Sequence, residues 1–193
     1  YCIDEVSDHA MALLLAAVRK IPMGTDQVHA GTWKMPNFVP IHRLRGTVLG
    51  LVGFGRIGRE VATRARAFEM EVWAHDPLLA DWPEGFGWAK RVPLDELLAG
   101  SDFVSLHLPL LPATRNRIGA EELSRMKSDA VLINAARGGV VNEAALYDAL
   151  AAKRLRGAIL DVFETEPAGE NPLLALPNVL ATPHLGASTR EAQ

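Results

Sequence analysis

One cysteine in 193 residues leaves Cys2 nothing to pair with inside the chain, which excludes an internal disulfide framework and a cysteine-based zinc site. A reducing, cytoplasmic setting fits that usage. Long hydrophobic runs are missing as well. The longest near the N-terminus, AMALLLAAV over 10–18, is too short to span a bilayer. The polar DEVSDH before it lacks the positive charge that opens a signal peptide, so neither targeting nor insertion is expected. Excess positive charge is lacking too. Twenty Lys and Arg stand against 23 Asp and Glu, a net charge of −3, and nothing favours nucleic acid or an anionic membrane as partner. Internal repeats and low-complexity tracts are absent.

What is present is an ordinary globular composition, 49% hydrophobic and 22% charged. A chain of this length buries roughly 70% of its unfolded surface, enough for one substantial core. Residues 4–21 place Val6, Ala10, Leu13, Leu14, Ala17, Val18 and Ile21 at helical spacing, with Asp4 and Glu5 at the positive end of the helix and Arg19 and Lys20 at the negative end. Residues 22–46, with three Pro and three Gly, read as an extended connector. From Thr47 strands alternate with helices. Strands are expected at 47–52, 71–75, 103–107, 130–134, 157–161 and 178–181, and helices at 56–69, 94–99, 119–126 and 142–152. Runs such as FVSLH and AVLIN lack alternation, as strands buried on both faces do. The expected fold is α/β, a doubly wound parallel sheet over 47–193 preceded by a helix and connector over 1–46.

The stretch VLGLVGFGRIGRE (48–60) breaks an apolar run with Gly53, Gly55 and Gly58. After a parallel strand the chain must turn sharply into a helix, and Gly53 can take the angles required. Gly55 lets a pyrophosphate approach the backbone, Gly58 lets helix and strand pack closely, and the N–H groups at the helix start hold phosphates. The next strand, EVWAHD, ends in Asp76, 18 residues past Gly58, where a carboxylate accepts from adenine-ribose hydroxyls. That carboxylate would repel a 2′-phosphate, which favours NAD over NADP. Arg56 lies in the phosphate loop itself and suits a pyrophosphate better than a 2′-phosphate.

Ligands of doubly wound sheets bind outside the carboxyl ends of the strands, and polar residues gather there. Arg137 follows AVLINAA, Asp161 follows GAIL and leads into Glu164 and Glu166, and His184 follows NVLAT. Hydride transfer between a nicotinamide and a hydroxy acid needs a group to take the hydroxyl proton, which histidine does near neutral pH. A neighbouring carboxylate orients the imidazole and stabilises its protonated form. A guanidinium binds a substrate carboxylate with two parallel bonds. A structural Arg137–Glu166 ion pair beside a loop histidine is the plainer alternative.

The segments LVGFGRIGREVATRARAF, VSLHLPLLPATRNRIG, LINAARGGVVNEAAL, GAILDVFETEP and TPHLGAS resemble the signature blocks of the D-isomer-specific 2-hydroxyacid dehydrogenases, phosphoglycerate dehydrogenase-like members above all. The resemblance implies Arg137, Glu166 and His184 as the catalytic set, with Glu164 not the matching acid. It implies cofactor contacts from Arg56 and Ile57 to the pyrophosphate and from Asp161 to the nicotinamide carboxamide. Leu108, Thr114, Ala135, Ala136 and Arg137 would line the groove, with His184 and Gly186 beside them and His107 structural. It further implies NAD as cofactor, a small 2-hydroxy or 2-oxo acid as substrate, and a homodimer formed through residues 1–46. Leu13–Leu15 of the first helix, with Trp33, Met35, Phe38 and Val39 of the connector, are the expected apolar interface. Only 46 residues precede the first sheet strand and nine follow His184, so the expectation is the cofactor domain of a longer enzyme, without its substrate domain and nearly inactive alone. The competing reading is an NAD-responsive, corepressor-like binding module in which the catalytic set is vestigial.

Overall fold

The computed structural model describes residues 2–192. Seven strands form one sheet in the order β3-β2-β1-β4-β5-β6-β7, and every neighbouring pair is parallel. The strands are β1 Val48–Val52, β2 Glu71–His75, β3 Lys90–Arg91, β4 Phe103–Leu106, β5 Val131–Asn134, β6 Gly157–Leu160 and β7 Val179–Ala181. Helices α1 Ile3–Val18, α2 Ile21–His29, α3 Arg56–Ala67, α4 Leu94–Gly100, α5 Ala120–Arg125 and α6 Glu143–Ala151 complete the fold.

Successive strand residues point to opposite faces, and both faces are covered. Val104, Leu106, Leu132 and Leu160 face a core shared with Leu94, Leu97 and Leu98 of α4, Leu123 of α5 and Leu146 of α6. Their neighbours Phe103, Val131, Ile133 and Ile159 face α1 and α3, meeting Ala10, Met11, Leu14, Val61, Ala62 and Ala65. This two-sided burial explains the unbroken apolar runs in the sequence. The chain order reverses between β1 and β4, which opens a crevice at the carboxyl ends of those strands.

Helix α1 is part of this core. Ala10, Met11, Leu13 and Leu14 are buried, and burial of each large side chain is worth roughly 1.5–3 kcal/mol. Its charged edge is fixed as well: Arg64 of α3 pairs with Asp8 at 2.5 Å, Asp4 at 3.3 Å and Glu60 at 2.8 Å. Leu13 and Leu14 therefore pack inward and do not belong to a surface patch.

The connector departs from expectation. The first helix ends at Val18, Lys20 turns left-handed (φ 53°), and a second helix runs from Ile21 to His29. Pro22 sits in the first turn of α2, where a missing N–H breaks no helical bond. Strand β3, two residues long, is a further addition to the expected elements.

Candidate active site

The phosphate end of the crevice is made by backbone. Gly53 adopts φ 96°, a conformation that side chains disfavour, and donates its N–H to the His75 carbonyl at 2.8 Å. A β-carbon on Gly58 would lie 2.4 Å from the Gly53 carbonyl oxygen, so only glycine lets α3 pack this close to the turn. Gly55 is different: a β-carbon there would meet nothing within 4 Å. The protein does not need that space, and a pyrophosphate approaching the backbone would use it. The first intrahelical bond runs from Arg59 N–H to the Gly55 carbonyl at 3.1 Å. The N–H groups of Arg56, Ile57 and Gly58 precede it and have no protein acceptor among the described residues, which leaves three donors for an anion. These features fit a dinucleotide phosphate.

Asp76 stands at the end of β2 beside that turn. One carboxylate oxygen accepts from Phe54 N–H at 2.9 Å and the other from Leu78 N–H at 3.0 Å. Each oxygen keeps a second lone pair for a hydroxyl donor. Phe54, fully buried, stacks on Trp82 with ring centroids 4.6 Å apart, which fixes the turn from behind. His75 is occupied with the Val92 carbonyl at 3.1 Å.

The catalytic end is made by side chains. His184 Nδ1 lies 2.8 Å from Glu166 Oε2, and Glu166 Oε1 accepts from Phe163 N–H at 2.9 Å. Burial pushes the Glu166 carboxyl pKa up, but the His184 ring and the Phe163 N–H outweigh it and hold the group below its ordinary value. A carboxylate can only accept, so Nδ1 carries a proton, and in the neutral ring Nε2 keeps a free lone pair. Glu164 points elsewhere, into an ion pair with Arg115 at 3.0 Å.

Arg137 is exposed, and Nη1 donates to the neighbouring Ala136 carbonyl at 2.6 Å. It makes no ion pair among the described residues, so the structural Arg137–Glu166 pair does not form. Two features place its loop. Buried Asn134 donates to the Arg137 carbonyl at 3.1 Å and accepts from Ala136 N–H at 3.2 Å. A β-carbon on Gly138 would fall 1.8 Å from the Phe163 carbonyl oxygen, so the loops after β5 and β6 touch and bring Arg137 beside the segment that carries Glu166. Ala135 is buried at the start of this loop.

Asp161 is only 1% exposed. Its Oδ1 accepts from Thr182 Oγ1 at 2.5 Å and Leu185 N–H at 2.8 Å, and its Oδ2 from Gly186 N–H at 2.9 Å. The carboxylate expected to meet a carboxamide is thus chiefly engaged in holding the turn that carries His184, and Oδ2 alone has room for another donor. Leu108 is half-buried. The Thr114 hydroxyl is turned into its own loop, donating to the Pro109 carbonyl at 2.5 Å and accepting from Leu111 N–H at 2.8 Å. His107 contacts Ser105 at 3.0 Å, and burial pushes its pKa down to about 4, which suits a neutral structural ring. Asn134 and His9, whose Nε2 lies 3.0 Å from Asp161 Oδ1, are the residues that sequence reasoning missed. Their partners are set by folding, and only the polar Asn134 at the end of an apolar strand left a local trace.

Comparison with known proteins gives the family. The family described as "D-isomer specific 2-hydroxyacid dehydrogenase, NAD binding domain" matches residues 11–186. A D-3-phosphoglycerate dehydrogenase of Archaeoglobus fulgidus is 48% identical over 189 residues, covering 97% of this chain and 36% of the relative. A hydroxypyruvate reductase of Thermotoga maritima is 44% identical over 191 residues, covering 97% of this chain and 61% of the relative. A glyoxylate reductase structure from Paecilomyes thermophila superposes with a TM-score of 0.92 at 40% identity, over 99% of this chain and 58% of that one. The chain thus spans about a third of the length of the phosphoglycerate dehydrogenases that it matches.

Proposed function

The chain belongs to the D-isomer specific 2-hydroxyacid dehydrogenases, as their NAD-binding domain, and on that premise we propose that it serves an enzyme interconverting a 2-hydroxy acid and its 2-oxo acid. The observation that carries this reading is the His184–Glu166 pair at 2.8 Å, beside the Arg137 guanidinium, which no acid neutralises among the described residues. When bound, NAD accepts or returns the hydride. Nε2 of His184 takes the hydroxyl proton during oxidation and gives it back during reduction. Glu166 keeps the ring in the tautomer that leaves Nε2 free and stabilises it once charged. Arg137 binds the substrate carboxylate and polarises the 2-oxo group.

The phosphate cradle of Gly53, Gly55, Arg56, Ile57 and Gly58 holds the pyrophosphate, and Asp76 the adenine ribose, with NADH preferred to NADPH. Leu108, Thr114, Ala135, Ala136 and Gly186 line the groove, and Oδ2 of Asp161 accepts from the carboxamide. A phosphorylated three-carbon hydroxy acid is the first substrate to try, given the relatives. The test is a panel of 2-oxo acids offered with NADH to the full-length parent enzyme. Turnover is expected with at least one, and NADH binding without turnover on any would overturn the reading in favour of a binding module.

Self-association is the second part of the reading. Trp33, Met35 and Val39 are 81%, 66% and 70% exposed, and Trp33 and Met35 with Ile21, Val28 and Phe38 line a groove of about 540 Å³ between α2 and the connector. We place a homodimer contact there, and the molecule in the cytoplasm; among the described residues no helix is long and apolar enough to cross a membrane. Sedimentation at micromolar concentration should show a dimer that Trp33→Ala with Val39→Asp converts to monomer. A monomeric unsubstituted chain would refute the contact.

A further inference from the structure

Helix α1 reaches the catalytic end through one side chain, His9. Its Nε2 is 3.0 Å from Asp161 Oδ1 and 3.4 Å from the Thr182 hydroxyl oxygen. Only the second of these is a hydrogen bond, and since the Thr182 hydroxyl gives its own proton to Asp161 Oδ1, the Nε2–H of His9 donates to Thr182 Oγ1. A carboxylate as buried as that of Asp161 persists where its lone pairs are used. Here they take Thr182 O–H and the N–H groups of Leu185 and Gly186, while the Asp161 carbonyl takes the His184 N–H at 2.9 Å. His9 stands behind the Thr182 hydroxyl as its second partner, with its ring against the carboxylate.

What hangs on Asp161 is a strained turn. His184 sits at φ 55°, a left-handed conformation that a β-carbon disfavours, and such a backbone lasts only where its surroundings over-determine it. His9 in turn has little freedom, because Asp4 and Asp8 of the same helix are bound by Arg64 of α3. Helix α1 therefore links the helix whose start cradles phosphate to the turn that carries the imidazole.

We infer that His9 is a positioning residue, holding Thr182 and through it Asp161 so that the His184 turn keeps Nδ1 against Glu166. The inference rests on His184 and Glu166 being the acid–base pair, and adds a residue of α1 to their support. Two variants separate the hydrogen bond from mere packing: His9→Phe keeps a ring and removes the donor, and His9→Gln keeps a donor near the same place. In the chain as it stands, two-bond proton–nitrogen correlations of the His184 ring, recorded at about pH 8.5 and so above the ordinary imidazole range, report which nitrogen is protonated. The unsubstituted chain and His9→Gln should show Nδ1 protonated, and His9→Phe the Nε2-protonated form of a ring free in water. Retention of the Nδ1 form in His9→Phe, or its loss in His9→Gln as well, overturns the inference. Should His9→Phe not fold, His9→Asn, whose amide falls short of the Thr182 hydroxyl, takes its place in the same comparison. The readout needs neither cofactor nor substrate, so its failure and failure of the turnover reading are told apart.

Discussion

The two ends of the crevice reach their shapes by opposite means. At the phosphate end the decisive atoms are absent ones: Gly58 would put a β-carbon 2.4 Å from a carbonyl oxygen, and Gly55 leaves open space where phosphate comes. At the catalytic end the decisive atoms are present and linked, from His9 through Thr182 and Asp161 to the His184 turn and on to Glu166. Backbone geometry tolerates surrounding change but no added atom. A relay of side chains accepts small steric changes and fails when one donor or acceptor is lost.

Separate substitutions at the two ends should therefore fail in different observables. The largest effect is expected from His184→Ala in the full-length enzyme, where loss of the acid–base group lowers kcat roughly 100- to 10,000-fold while the NADH dissociation constant stays within about twofold, the phosphates being held elsewhere. Steady-state kinetics with a fluorescence titration of NADH checks both, and an equal loss of affinity would erase the contrast between the ends. Next comes Gly58→Val, whose clash with the Gly53 carbonyl should cost about 1–3 kcal/mol. For a domain of this size that is a Tm lower by roughly 2–4 °C per kcal/mol, accompanied by loss of NADH binding in the same titration.

Asp76 sharpens the comparison, since its side chain works at the backbone-built end. Asp76→Ala should weaken NADH about tenfold, as loss of a bond to a charged group does, and also lower Tm by releasing Phe54 N–H and Leu78 N–H. Asp76→Asn keeps one acceptor oxygen and removes the charge, so it should lower Tm by costing one of the two N–H bonds and narrow the preference for NADH over NADPH. Calorimetry with both cofactors measures this. The smallest effect concerns Glu166. Its folded pKa lies below the ordinary value, so its stabilisation is present above the unfolded pKa of about 4.3 and is lost as pH falls through the folded one. The Tm difference between the unsubstituted chain and Glu166→Gln should be greatest near neutrality and close below about pH 4, remaining small throughout because the side chain is partly exposed.

Six strands and their helices could be read from the sequence because a buried parallel sheet leaves uninterrupted apolar runs, and VLGLV, FVSL, VLIN and GAIL all form strands. The two-residue β3 carries no such signal and exists because Lys90 and Arg91 meet the edge of β2. Helix α2 was hidden by Pro22 and Gly24, which suggest a break when read as composition and are compatible with a helix start when read by position. At the site, His184 and Glu166 stood out as polar residues beyond strand ends, and the structure brings them together. His9 could not be found this way: it belongs to an amphipathic helix whose polar residues all look like a solvated face until Asp161 folds against one of them.

The contact between His9 and Thr182 joins residues 173 positions apart, which gives the domain an order of completion during synthesis. At about 5–20 residues per second, a ribosome adds the second partner roughly ten to thirty seconds after the first. Met11 and Leu14 can dock as soon as α3 and its neighbouring strands have emerged, so the phosphate cradle is finished early on a growing chain. Asp161 waits for the last strand and the turn beyond it. The catalytic end is the final part of the domain to assemble, and a nascent chain acquires its cofactor cradle well before its proton-transfer machinery.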